Sequence, residues 1–284
     1  MLLASFSFAL MGGFVKVLAQ TLPSVEVTFF RNIFGVVIIG LSIWKVPLKQ
    51  TGGKPVLLLF RGFIGFVALL AYFYVMGHIP LGEAVTYNKT SPIFVAIFAY
   101  LFLNEKLHKS AIFAIIIGFA GIVLVAQPEG GTFDRYDILG IFSAIGAALA
   151  YTSIRELRKY YDTRAIVMSF MGIGTLAPLI LMLITPYMQV DEEFDWMFAE
   201  FVLPVGIEWL YVAVVGILAT ISQLLMTQAY GLTKAGIVGT ISYSNIVFAL
   251  IIGMVLGDPM PDFWTVLGII FVIISGLLIA FKKK

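Results

Sequence analysis

Cysteine is absent from this chain, histidine occurs only twice, and charged side chains make up 12% of its 284 residues. Without cysteine there is no disulfide framework, no thiolate nucleophile and no thiolate metal site. The two histidines, His78 and His108, both flank loops and lack metal-ligand spacing. Neither a Gly-x-Ser-x-Gly elbow nor a Gly-rich phosphate loop ending in Lys-Ser/Thr occurs, which leaves no support for a serine hydrolase or an ATP-driven pump. A net charge of +2 is too small for a nucleic-acid partner. No cofactor and no catalytic residue are expected.

What the chain has in excess is apolar surface. Hydrophobic residues make up 61% of it, whereas an average soluble domain is about 45–50% apolar and about 25% charged. In water such a chain would expose more apolar area than a monomer tolerates, so the lipid bilayer is the solvent that fits. A spanning helix takes about 20 apolar residues. Ten such segments are readable, at 2–20, 24–44, 56–77, 82–103, 110–126, 137–157, 164–186, 205–229, 235–257 and 263–281. Turn residues punctuate them: Pro47 with Gly52-Gly53, Pro80 before Gly82, Pro128 with Gly130-Gly131, and Pro259 with Pro261. The first segment has no basic leader and runs straight into the second, so it reads as a span rather than a signal peptide. The expected fold class is an all-α integral membrane protein of ten transmembrane helices.

Charge sets the expected orientation. With the N-terminus inside, the loops on that side collect Lys45, Lys49, Lys54, Arg61, Lys106, Lys109, Arg155, Arg158, Lys159, Arg164, Lys234 and Lys282–Lys284. The opposite loops collect Glu129, Asp134, Asp137, Asp191, Glu192, Glu193, Asp195, Glu200, Glu208, Asp258 and Asp262, with Arg135. Lysine and arginine excess marks the cytoplasmic face. Both termini are therefore expected inside a bacterial-type inner membrane, with the 187–204 loop outside.

The chain also resembles itself. A shift of 153 residues sets Ser91 on Ser244, Pro92 on Asn245, Ala96 on Ala249 and Glu105 on Asp258. Each copy is followed by one more span ending in a Gly-aliphatic run, at Gly121 and at Gly276. Five spans per copy, an odd number, force the copies into opposite orientations, which is a transporter architecture with its site near the midplane. The expected repeats are 1–127 and 137–284.

Three stretches carry a family resemblance: SVEVTFFRN at 24–32, SPIFVAIFAYLFLNEKL at 91–107 and GFAGIVLVAQP at 118–128. With them the chain resembles the drug/metabolite transporter superfamily, specifically the EamA-type ten-helix carriers, over nearly its whole length. The resemblance implies two inverted five-helix halves around a central cavity and a small-molecule substrate such as an amino acid, a nucleoside or a related metabolite. The second copy departs from the pattern, with Asn245 for the proline and Leu256-Gly257-Asp258 for Leu103-Asn104-Glu105.

Polar residues inside spans are the candidate site. Gly82 to Pro92 is scarcely hydrophobic, and Lys89 lies about 10 Å from Gly82 at 1.5 Å per residue. A lysine at mid-bilayer costs about 2.5–3.5 kcal/mol on insertion scales, so it faces a cavity and an anionic ligand group, or else snorkels or pairs with Glu83 or Glu26. Tyr87, Asn88 and Ser91 share its region, and Asn88 and Ser91 fall on one helix face. Asn88-Lys89-Thr90 matches a glycosylation acceptor but lies within a span. Pro92 frees a backbone carbonyl for a cavity or serves as a packing kink. In the symmetric place of the second copy stand Thr240, Ser242, Tyr243, Ser244 and Asn245. Arg31 is the second candidate for gripping an anion, with a structural pair as its alternative. Gln223, with Thr220, Ser222 and Gln228, is the candidate from the eighth span, and Tyr72 and Tyr74 are aromatic candidates. Lys16 reads as snorkelling. The rows Gly140/Ala144/Ala148 and Gly118/Gly121 read as packing surfaces, and the acidic 191–200 run as a solvated loop.

The function expected is secondary transport of a small organic metabolite by alternating access. The rival classes are a passive facilitator or channel, a membrane-embedded enzyme, and an assembly subunit. Expected partners are the small-molecule substrate and the lipid bilayer. Proton coupling, with Glu26 and Glu83 as its acids, and a homodimer are left open.

Overall fold

The apolar segments become helices, and the computed structural model, which describes residues 1–49, 52–103, 109–127, 132–232, 238 and 241–280, contains no β-strand among them. In chain order the helices are α1 (Leu2–Leu18), α2 (Ser24–Lys45), α3 (Pro55–His78), α4 (Leu81–Asn88), α5 (Ser91–Leu103), α6 (Lys109–Ala126), α7 (Arg135–Leu157), α8 (Thr163–Ile184), α9 (Glu208–Leu232), α10 (Ser244–Val255) and α11 (Phe263–Ala280). By length and composition α2, α3, α7, α8 and α9 can cross a membrane, while α1, α6, α10 and α11 are shorter apolar helices. Several sequence readings lie outside the described residues: Glu105, Lys106, His108, Glu129, Lys234, Thr240 and Lys282–Lys284.

Local chemistry sets the helix ends. Asp134 and Asp137 cap α7 reciprocally: Asp137 N donates to Asp134 Oδ1 at 2.7 Å and Asp134 N to Asp137 Oδ2 at 3.0 Å. Asp162 caps α8 by accepting from Arg164 N at 2.9 Å, and Pro55 opens α3 where its missing N–H costs nothing. The span expected at 82–103 is instead two helices. Pro92 cannot donate to the Asn88 carbonyl, and the chain turns at Lys89 and Thr90 before α5 begins. Thr90 Oγ1 donates to the Tyr87 carbonyl at 2.7 Å, and Ile93 N to the Thr90 carbonyl at 2.9 Å. A second break falls at Tyr243, where Ile246 N donates to the Tyr243 carbonyl at 3.0 Å and α10 begins at Ser244.

Packing runs between distant parts of the chain. α1 lies against α9 and α10, while α7 lies against α3, α4 and α5. α2 packs on α8 and α9, α3 on α8, and α6 on α11. The α6–α11 contact is close because it is made backbone to backbone. A Cβ on Gly121 would sit 2.8 Å from the Gly268 carbonyl, and one on Gly268 would sit 2.7 Å from the Gly121 carbonyl. Gly140 meets the Tyr87 ring, and Ala144 and Ala148 pack with Phe94, so the small-residue rows are packing surfaces.

The acidic loop after α8 is docked rather than merely solvated. Asp195 accepts from Tyr74 Oη at 2.9 Å and pairs with Arg135, and Val202 N donates to the buried Glu26 at 2.8 Å. At the opposite end of α3 and α7, Glu156 bridges Lys54 at 2.8 Å and Lys159 at 2.6 Å. Hydrogen bonds from Lys159 and Lys54 hold its carboxyl down to about 2.

Candidate functional site

Eight of these helices wall one cavity. α1 gives Phe8 and Met11, α2 gives Arg31, α3 gives Arg61, Gly65, Ala68, Leu69 and Tyr72, and the α4 end gives Asn88 and Lys89. From the later half come Ala147, Ala150 and Tyr151 of α7, Phe170 of α8, Gln223 and Met226 of α9, and Asn245 of α10.

Among the described residues the cavity lining holds three basic side chains and no acidic one. Arg31 and Arg61 are buried, 1% and 2% exposed. Arg31 Nη1 donates to Asn32 Oδ1 at 2.6 Å, and Asn32 is itself fixed by donating to the Thr28 carbonyl at 2.8 Å and the Gly174 carbonyl at 3.0 Å. Both guanidinium carbons stand over the Phe170 ring, 5.1 Å from its centroid for Arg31 and 4.5 Å for Arg61. The ring offsets part of the cost of burying them. Nε of Arg31 and both Nε and Nη1 of Arg61 have no hydrogen-bond acceptor. Lys89 caps α4 at the helix break and has no ion pair or side-chain hydrogen bond among the described residues. A buried charge left unpaired is costly; Arg31 and Arg61 are buried, Lys89 is half-buried, and all three face one space.

Of the residues singled out from sequence, Lys89, Asn88, Arg31, Gln223 and Asn245 meet at this cavity. Gln223 Nε2 has no acceptor there, and Asn245 Nδ2 donates to the Ser5 carbonyl at 2.7 Å, tying α10 to α1. Tyr87, Ser91, Ser242 and Tyr243 are buried but not among the lining residues. Tyr87 Oη donates to Asp137 at 2.5 Å, Ser91 opens α5, and Tyr243 fills the space over Gly276. Thr220 and Ser222 donate to carbonyls of their own helix, those of Gly216 and Leu218. Arg31 pairs with neither Glu26 nor Glu83.

Two expectations change. Arg61 is not a loop cation: it sits in the second turn of α3, buried against Phe170. Its signal was an arginine inside the apolar run Leu57-Leu58-Leu59-Phe60-Arg61-Gly62-Phe63. Lys16 does not snorkel. Its Nζ pairs with Asp258 at 2.5 Å and donates to the Ile79 carbonyl at 2.9 Å. The other oxygen of Asp258 accepts from Leu81 N at 2.8 Å, so one carboxylate ties α1 and the start of α4 to the turn after α10. Tyr151 and Phe170 gave no sequence signal, since aromatics in apolar helices are commonplace.

Comparison with known proteins adds to this geometry. Residues 1–127 and 134–281 match the profile of the EamA-like transporter family. An uncharacterized transporter of Helicobacter pylori is 33% identical, over 98% of this chain and 92% of that protein. The pseudopaline exporter CntI of Pseudomonas aeruginosa is 30% identical, over 99% of this chain and 95% of that protein. A solved crystal structure, 18% identical, superposes with a TM-score of 0.60 over 97% of this chain and 94% of that one, which bears on the fold alone.

Proposed function

This chain belongs to the EamA-like transporter family, and we propose that it carries a small organic metabolite across a bacterial inner membrane by alternating access at the central cavity. With its long apolar helices it is an integral membrane protein and a transporter. The finer reading is ten spans in two inverted halves, 1–127 and 137–284, with both termini inside. The packing supports that reading, because exchanging the halves maps contacts onto contacts. α1 on α9 corresponds to α7 on α3, α2 on α9 to α8 on α3, and α1 on α10 to α7 on α4 and α5, while α2–α8 and α6–α11 map onto themselves. The helix breaks correspond too, since Ser91 and Ser244 are the first residues of α5 and α10. Interrupted helices at equivalent places in two halves mark a transport site.

The observation that carries the proposal is that both halves supply walls to one polar cavity. In this reading Lys89 contacts an anionic group of the substrate, and Asn88, Gln223 and Asn245 orient the remainder. Glu26 and Glu83 lie outside the lining, so proton coupling through either would act from the helix ends.

Counterflow in proteoliposomes loaded with a panel of metabolites tests the reading. A carrier accumulates labelled substrate against an unlabelled internal pool. Flux without counterflow would make the protein a channel, and no flux of any solute would overturn transport through this cavity. A fluorescent-protein fusion at Lys284 that stays dark, with an active phosphatase there, would overturn the orientation.

A further inference from the structure

Resting on the carrier reading, the charge pattern narrows what the cavity takes. Arg31, Arg61 and Lys89 line the same space with no carboxylate among its lining residues. They do not form one centre of a single kind. The two arginines share the Phe170 ring, and Arg31 Nε with Arg61 Nε and Nη1 are donors that no described residue accepts. Lys89 arrives separately, from the broken end of α4. A guanidinium fork matches the planar edge of a carboxylate or phosphate, and an ammonium is a compact point charge. The remaining wall sets the apolar Phe8, Met11 and Met226 beside the neutral Asn88, Gln223 and Asn245, which suits a short carbon skeleton.

One negative charge would leave two cations in low dielectric without a partner. Two negative charges at the ends of a short chain satisfy both centres. We infer that the transported solute is a small organic dianion, with one anionic group at the Arg31–Arg61 pair beside Phe170 and the other at Lys89. The attraction grows as the local dielectric falls, so a monoanion or a zwitterion of the same length binds more weakly.

The test uses the purified full chain, read by ligand-induced thermal shift and by counterflow. Succinate, glutarate and adipate are compared with butyrate, with glutamine as a zwitterion, and with 3-phosphoglycerate, a carboxylate at one end and a phosphate at the other, to separate carboxylate from phosphate chemistry. The expected result is stabilisation and counterflow with at least one dianion and neither with butyrate or glutamine. Lys89→Met is expected to weaken the preferred dianion on the order of a hundredfold, to the level of its monoanionic analogue. Arg61→Lys, which keeps the charge but loses the fork, is expected to weaken it by less. Preference for butyrate or glutamine overturns the inference while leaving the carrier reading intact, as does an unchanged dianion preference in Lys89→Met. If no dianion acts but a neutral metabolite shows counterflow, the inference fails alone; if no solute shows counterflow, both fail.

Discussion

Lys16, inside α1, and Lys89, at the break between α4 and α5, are both lysines of the first half, and the protein treats them in opposite ways. Lys16 is met by Asp258 and by the Ile79 carbonyl, and its pair joins three segments. Lys89, like Arg31 and Arg61, is given a cavity and no counter-charge. The contrast separates a cation that holds the fold from cations that are kept for something arriving from outside. A protein under selection for stability alone would have neutralised the second kind, because an uncompensated buried charge destabilises. Their persistence in one space is the strongest argument that the space is used.

The comparison can be broken at the pair first. Asp258→Ala leaves Lys16 with the Ile79 carbonyl alone and the Leu81 N–H without its acceptor, and for this partly buried pair the loss should be about 1–3 kcal/mol. Thermal unfolding in detergent should show this loss. A Lys16→Met/Asp258→Asn double variant should be more stable than Asp258→Ala, and a double variant that is no better would reduce the pair to ornament. On the cavity side, Lys89→Met should leave the protein abundant in the membrane while uptake of an anionic substrate collapses, with Lys89→Arg retaining part of it. Loss of the protein itself would move Lys89 into the structural class.

Smaller effects sharpen the same distinction. Asn32→Ala removes the acceptor that steers Arg31 and the two bonds that fix it, and should cost about 1–3 kcal/mol together with a raised KM for substrate. Gly257 adopts φ +99° in the turn that presents Asp258, so Gly257→Ala should strain that turn and cost about 1–2 kcal/mol. Glu156 should matter least. Its carboxyl is lowered by Lys159 and Lys54, so its contribution is complete above the ordinary glutamate range and is lost only as pH falls towards about 2. Glu156→Gln should therefore leave transport unchanged, and no stability step between pH 5 and pH 8 should trace to this residue.

Much of this was legible in sequence because hydrophobic runs and turn residues act locally. The helices follow the apolar segments, and Pro92 with the polar stretch before it flagged the region of the α4–α5 break. The lysine in that stretch pointed to the cavity. Partners were not legible, because they come from residues far apart in the chain. Nothing near Lys16 announces Asp258, 242 positions away. Arg61 was hidden by its position near the N-terminal end of its helix, where a basic residue reads as part of the loop before it. Its burial depends on Phe170, which only the packing of α3 on α8 brings beneath it. Tyr87 stands apart from the cavity lining for a related reason: its hydroxyl meets Asp137 at the start of α7.

The most direct test makes one substitution at each lysine. Purified Lys16→Met and Lys89→Met are melted side by side with wild type, without added substrate and at low ionic strength. The account predicts that Lys16→Met melts below wild type, while Lys89→Met melts at or above it because an unpaired charge has been removed from a low-dielectric cavity. A Lys89→Met variant destabilised as much as Lys16→Met would show that Lys89 is held by the protein itself, and would contradict the claim that the cavity charges are reserved for a ligand.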